Sequence, residues 1–116
     1  MKTIMFVDDE PDIRKTVTAL LKKQGYKVKT ATDGDDCLQK LKTTTPDLLI
    51  LDIMMPGVPI KEIVKKHKSI KTIFLTCVRM ADAEKEELME QGNIVDFIQK
   101  PFEIKELIKR IKVHTA

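Results

Sequence analysis

Tryptophan is absent from this chain and aromatic residues make up only 4% of it, so its core has to be aliphatic. A base-stacking platform for single-stranded nucleic acid needs exposed aromatic rings, and too few are available to build one. The two cysteines, Cys37 and Cys77, are too few for a disulfide framework and lack the spacing of a zinc site. They read as free, buried thiols of a reducing compartment. The longest apolar run, Leu48 to Leu51, falls far short of a membrane span. Three consecutive acids come soon after Met1-Lys2, so no secretory leader is expected. Neither charge sign dominates: 21 basic residues against 18 acidic ones give +3, without the concentrated basic stripe of a nucleic-acid binder. There is no internal repeat and no low-complexity stretch. A length of 116 residues leaves no space for a two-domain enzyme, while 42% apolar content fills one core. The expectation is a small cytoplasmic protein, or a small piece of one.

What is present is an alternation of two kinds of segment. Runs of strand length are Thr3 to Val7, Lys27 to Thr30, Leu48 to Leu51, Thr72 to Leu75 and Ile94 to Ile98. Between them lie stretches with helical spacing. Ile13, Val17, Leu20 and Leu21 form a stripe that closes at Gly25, and Pro11 suits the first turn before it. Cys37, Leu38 and Leu41 form a second stripe, opened by Asp33, Asp35 and Asp36 where the helix dipole favours acids. Ile60, Ile63 and Val64, with Pro59 in the first turn, mark a third helix; Ala81, Leu88 and Met89, closing at Gly92, mark a fourth. Ile104, Leu107, Ile108 and Ile111 mark a fifth, with cations in its last turns. Five strand–helix units with hydrophobic central runs imply a parallel sheet covered by helices on both faces.

In such sheets ligands bind beyond the carboxyl ends of the strands, so the residues at those ends carry the chemistry. The first run leads into Asp8, Asp9 and Glu10, the third into Asp52, the fourth into Thr76 and the fifth into Lys100-Pro101. Carboxylates brought together there repel unless a cation neutralises them. All-oxygen ligation suits Mg²⁺. A divalent ion, an ammonium and a hydroxyl together match the dispersed charge of a phosphoryl group. Asp52 ends the most hydrophobic run, hence the central strand, and a carboxylate there can act as nucleophile at phosphorus. Taken singly, the acids could be a solvated helix-capping loop, Thr76 a plain strand end and Phe97 core packing. His67 and His114 read as surface residues, and Lys61, Lys65, Lys66, Lys68 and Lys71 as a solvated face.

Four blocks also carry a resemblance: Val7-Asp8-Asp9-Glu10, Pro46 to Gly57 around Asp52, Leu75-Thr76, and Phe97 to Phe102 around Lys100. In this order and spanning essentially the whole chain, they resemble the signature blocks of response-regulator receiver domains, the chemotaxis-regulator type included. The resemblance implies a flavodoxin-like, doubly wound α/β fold with strand order 2-1-3-4-5. It implies phosphorylation of Asp52 by a sensor histidine kinase, a phosphotransfer protein or a small phosphodonor. Mg²⁺ would be held by Asp9, Asp52 and the backbone carbonyl of Met54, with Asp8 acting through water. Lys100 would pair with phosphoryl oxygens and Thr76 would donate to them. Phe97 stands at the family's aromatic switch position, altering the face of the fourth helix, fifth strand and fifth helix. That face would bind a downstream protein target, or a second copy as a weak homodimer, with neither nucleic acid nor membrane contacted directly. The bond before Pro101 is often cis in such domains.

On this reading residues 1–116 form a single receiver domain without an output domain, and the chain is no enzyme beyond its own phosphorylation and dephosphorylation. It is either a stand-alone regulator or a receiver cut from a longer protein. Two other classes share the residues: a receiver-like interaction module that is not phosphorylated, and a small Mg²⁺-dependent phosphohydrolase with an aspartate nucleophile. The second would carry an acid two positions after the nucleophile, where Met54 stands. The spacing departs from the family in two places. Asp52 and Thr76 are 24 positions apart, which implies a shortened third helix. Thr76 and Lys100 are also 24 apart, which implies extra residues near Arg79-Met80 and Asn93-Ile94. Cys77 replaces a very small residue beside Thr76. Met54 and Val78, which flank the attacking water in such domains, are apolar and predict a long-lived phosphoryl group.

Overall fold

A computed structural model describes residues 1–53, 60–76, 81–90 and 92–116. Five strands alternate with five helices: β1 (Thr3–Val7), α1 (Pro11–Lys23), β2 (Lys27–Ala31), α2 (Gly34–Leu41), β3 (Leu48–Asp52), α3 (Ile60–Lys66), β4 (Lys71–Thr76), α4 (Asp82–Met89), β5 (Ile94–Gln99) and α5 (Ile104–His114). All pairings are parallel, in the order β2-β1-β3-β4-β5. Each run expected from sequence forms a strand.

Strand alternation sorts the core onto two faces. Ile4, Phe6, Leu48, Ile50, Ile73 and Leu75 point toward α1 and α5, meeting Val17, Leu21, Leu107 and Ile111. Met5, Val7, Leu49, Leu51 and Phe74 point the other way, onto Cys37 and Leu41 of α2 and Ile63 and Val64 of α3. Every residue of β3 is buried, as expected for the central strand. No helix among the described residues is long and apolar enough to cross a membrane.

The helix ends follow local chemistry. Gly25 takes a φ of 91°, which closes α1 as its place after the stripe predicts. Asp33 caps α2 by accepting from the Asp36 N–H at 2.8 Å. The Asp36 carboxylate in turn accepts from the Thr32 N–H at 3.0 Å. That bond, then Lys40, hold its carboxyl below the usual range although partial burial opposes them. Cys37 is a free, buried thiol, pushed up to about 12 by burial and then by the neighbouring Asp36 charge, so it is inert as a nucleophile. Cys77 and Pro59 lie outside the described residues, as do Arg79 and Met80.

The two departures in spacing meet in space. α3 has seven residues, and its C-terminal carbonyls are capped from across the fold. Asn93, in the lengthened link between α4 and β5, is buried and donates Nδ2 to Val64 O at 3.3 Å and His67 O at 3.4 Å. Its own backbone carbonyl accepts from the Thr72 N–H at 2.7 Å. Two residues further on, β5 carries a β-bulge. Thr72 pairs with Ile94 but Ile73 pairs with Asp96, so Val95 has no partner in register.

The bulge decides which way β5 points. Strict alternation from Ile94, which joins the α2 and α3 side, would turn Phe97 toward α5. Instead Phe97 packs on the side of Phe74 and Leu88, while Val95 and Ile98 pack on the α1 and α5 side. Asp96 faces α5. There it accepts from Arg110 Nη1 at 2.9 Å and meets His114 Nε2 at 3.2 Å. His114 is therefore half-buried and paired rather than a free surface residue. His67 is half-buried too, and burial, then the Lys66 charge, hold its imidazole below the usual range. The described lysines of the third-helix region, Lys65, Lys66, Lys68 and Lys71, are exposed as expected. In α4 the expected stripe is only partly realised: Leu88 packs inward, whereas Ala81 and Met89 are exposed.

Candidate functional site

Register brings the strand ends together. Val7 pairs with Leu51 and Asp52 with Leu75, so Asp8 comes next beside Asp52, and Asp52 stands between β1 and β4. Three strand ends gain one further rung. Asp8 N–H donates to Ala31 O at 3.2 Å, Ile53 N–H to Leu75 O at 3.0 Å, and Lys100 N–H to Thr76 O at 2.7 Å. The residues that carry the chemistry are thereby held by the sheet rather than by free loops.

Lys100 joins the acids. Its Nζ donates to Asp8 Oδ2 at 2.7 Å and to Asp52 Oδ2 at 2.9 Å, and lies 3.8 Å from Glu10 Oε1. Asp8 is fully buried, and Asp52 and Thr76 are buried to within a few percent. Burial alone would depress the Lys100 ammonium. The hydrogen bonds from Asp8 and Asp52, with their charges, outweigh it and raise the group above an ordinary lysine. The Lys100–Pro101 peptide is cis.

The loop after β1 is ordered by its own residues. Asp8 Oδ1 accepts from the Glu10 N–H at 2.9 Å, and the Asp8 carbonyl accepts from Arg14 Nη1 at 2.7 Å. The sequence pattern places Glu10 among the acids at this edge but singles out no role for Arg14. A signal existed for Arg14: side chains in a helix lean toward its N-terminus, so a guanidinium in the first turn after Pro11 reaches back to the strand end. Carboxylate oxygens of Asp8, Asp9 and Glu10 lie within 4.8 Å of one another. Such an all-oxygen, acidic donor set fits a hard divalent cation such as Mg²⁺. Asp52 is tied to this group through Lys100. Met54, expected to offer a carbonyl to the metal, lies outside the described residues, as does Val78.

Thr76, at the end of β4, is the hydroxyl nearest this edge in register, and Phe97 stands one strand further out. The Phe97 ring meets Phe74 edge-on, with centroids 5.7 Å apart and planes at 75°. Beside Lys100 an apolar groove of about 590 Å³ runs between α1 and the segment after β5, lined by Ile13, Val17, Pro101, Phe102 and Ile104.

A buried nucleophile-competent carboxylate, a metal-type acid cluster, an ammonium and a hydroxyl on one sheet edge are suited to accepting a phosphoryl group. Comparison with known proteins identifies the family. A family model described as the response regulator receiver domain matches residues 4–112. The alkaline phosphatase synthesis transcriptional regulatory protein PhoP of Bacillus subtilis is 36% identical over 96% of this chain, which spans 47% of that relative's length. Among solved structures, the response regulator protein TrrA of Thermotoga maritima, in complex with Mg(2+)-BeF, is 36% identical with a TM-score of 0.78, covering 98% of this chain and 99% of that one. The chemotaxis response regulator CheY4 of Vibrio cholerae is 30% identical with a TM-score of 0.86, covering 98% of each chain.

Proposed function

This chain belongs to the response-regulator receiver family, and from that premise we propose that it is a phospho-acceptor switch in which Asp52 takes the phosphoryl group. The observation that carries this is the Lys100 ammonium bridging Asp8 and Asp52, at 2.7 and 2.9 Å, at the carboxyl edge of the central strands. An oxygen of Asp52 forms the new O–P bond. The P–N bond to a donor histidine, or the P–O bond to acetate in acetyl phosphate, breaks as it forms. The bonding pair leaves with the donor, and a histidine donor takes a proton from solvent. Lys100 then pairs with a phosphoryl oxygen, and Thr76 donates its hydroxyl to another. Asp9, Asp52 and the Met54 carbonyl would hold Mg²⁺, with Asp8 acting through water. When bound, the ion supplies positive charge against the acids and the phosphoryl oxygens.

The donor is a sensor histidine kinase or a phosphotransfer protein, seated on the apolar groove beside Lys100, with acetyl phosphate as a small substitute. The output is the surface of α4, β5 and α5, changed through Phe97 and offered to a downstream protein or, weakly, to a second copy. The chain acts as an enzyme only on itself. Incubation with acetyl phosphate and Mg²⁺, followed by intact mass, is expected to show the addition of one phosphoryl group, lost when EDTA is present. No gain in the wild type would leave an unphosphorylated interaction module.

The phosphoryl group is also expected to be long-lived. Hydrolysis needs a water oriented for attack, and the apolar side chains of Met54 and Val78 offer it no hydrogen bond. Giving both positions polar groups, as Met54→Asn with Val78→Glu, is expected to speed decay by about tenfold or more. Loss of the added mass over time measures this, and equal decay in the two proteins would refute it.

A further inference from the structure

The helix α4 lies at the surface of the output face. None of its described side chains is buried, and the residue before it, Ala81, makes no side-chain cap. Its sequence is rich in acids, and its last turn contains no base to complement the helix dipole. A helix this short is marginal on its own, so its tertiary contacts decide whether it stays folded. Leu88 enters the apolar cluster. One turn earlier on the same face, Lys85 places its ammonium over the ring of Phe97, 5.9 Å from the centroid.

Phe97 is held differently by its two neighbours. On the α5 side its backbone is fixed: Arg110 Nη1 donates to the Phe97 carbonyl at 2.9 Å, and the Phe97 N–H donates to Asp96 Oδ1 at 2.8 Å. Arg110 is itself anchored by Asp96 and by Glu106 Oε1 at 3.1 Å. On the α4 side the ring makes its contacts with Lys85 and Phe74. The strand is thus clamped and the ring is the part left to turn. The bulge at Val95 produces this division, by sending Asp96 to one helix and Phe97 to the other.

We propose that Lys85 is a positioning residue that latches α4 to β5 through the ring of Phe97, so that α4 is held or released according to where that ring points. With the ring turned away, α4 loses the Lys85 contact, keeps the packing of Leu88, and loosens. This rests on the reading that phosphorylation moves Phe97, but the latch exists before any phosphoryl group arrives and is tested there.

Amide hydrogen exchange of α4, on the full chain, reads the latch directly. Lys85→Met is expected to speed α4 exchange about two- to fivefold, the range of one partly exposed cation–π contact. Lys85→Arg keeps the cation and is expected to match the wild type. Lys, Arg and Met have similar helix propensities, so intrinsic helicity does not confuse the comparison. In a Phe97→Leu background the Lys85→Met change is expected to have no further effect, because the ring it acts through is gone. An equal effect in both backgrounds, or exchange in Lys85→Arg as fast as in Lys85→Met, would overturn the latch. Repeating the wild type with beryllofluoride and Mg²⁺ separates the two readings. No change at Phe97 or α4 there counts against the phospho-switch, whatever the variants show.

Discussion

Asp52→Asn is expected to abolish phosphoryl uptake altogether while leaving the fold intact. Two neighbouring carboxylates could in principle substitute, and the geometry argues against both. Asp8 is fully buried with one oxygen on Lys100 and the other on the Glu10 N–H, so attack would require it to break both bonds. Asp9 is exposed on the loop after β1 and offers no fixed nucleophile. Asp52 stands on the central strand with Lys100 on one oxygen and the β4 end alongside, so a phosphoryl group placed on it meets its neutralising groups at once. The amide introduced by this substitution has nearly the same shape as the carboxylate and can still accept from Lys100, so thermal unfolding should shift little. Intact mass after acetyl phosphate and Mg²⁺ checks the first statement. A full mass gain in the variant would move the acceptor elsewhere.

Lys100→Met carries the largest expected cost in stability. The Lys100 side chain is 13% exposed and joins two carboxylates that are almost entirely out of water. Removing one partner of such an ion cluster leaves unmatched buried charge, which costs about 3 kcal/mol or more. In EDTA the variant should therefore unfold at clearly lower urea than the wild type. Added Mg²⁺ should recover part of the loss, since a cation that binds only the folded state stabilises by mass action and can stand against the same acids. The pH dependence comes from the direction of the Lys100 shift. A group raised in the folded state contributes in full below its unfolded value and loses that contribution only as pH climbs through the raised one. The wild-type advantage from Lys100 should then persist unchanged up to about pH 10 and fall above it. If the variant is as stable as the wild type in EDTA, the bridge contributes nothing to the fold.

Much of this could be read from residues alone because the relevant signals are local. Leu48 to Leu51 alternates with nothing and so had to lie buried between two helical layers, which places Asp52 centrally. The acids, Thr76 and Lys100 stand at or just past the ends of strands, and locating a strand end needs no knowledge of side-chain packing. The resemblance marks Phe97 as the switch position, but the direction of its side chain is not legible in the sequence. That depends on whether Val95 pairs with β4, which is settled between strands rather than within one. The pairing of Asp96 with Arg110 and His114 was hidden for a related reason. Residues 14 and 18 positions apart meet only after β5 and α5 have packed, and a chain with 18 acids offers many rival partners. The spacings from Asp52 to Thr76 and from Thr76 to Lys100 are read directly from the sequence. That Asn93 caps the end of α3 is not legible there, since nothing in either segment names its complement.

The extra rungs beyond β1, β3 and β5 bear on speed. Because Asp8, Ile53 and Lys100 are already in the ladder, the order that a phosphoryl group needs around it has been established by folding. A preorganised acceptor gives up little freedom at the moment of transfer. The free energy of the new contacts is then left for α4, whose described side chains include none that is buried. Rigidity at the ends of the strands is what allows the elements around them to be cheap to move.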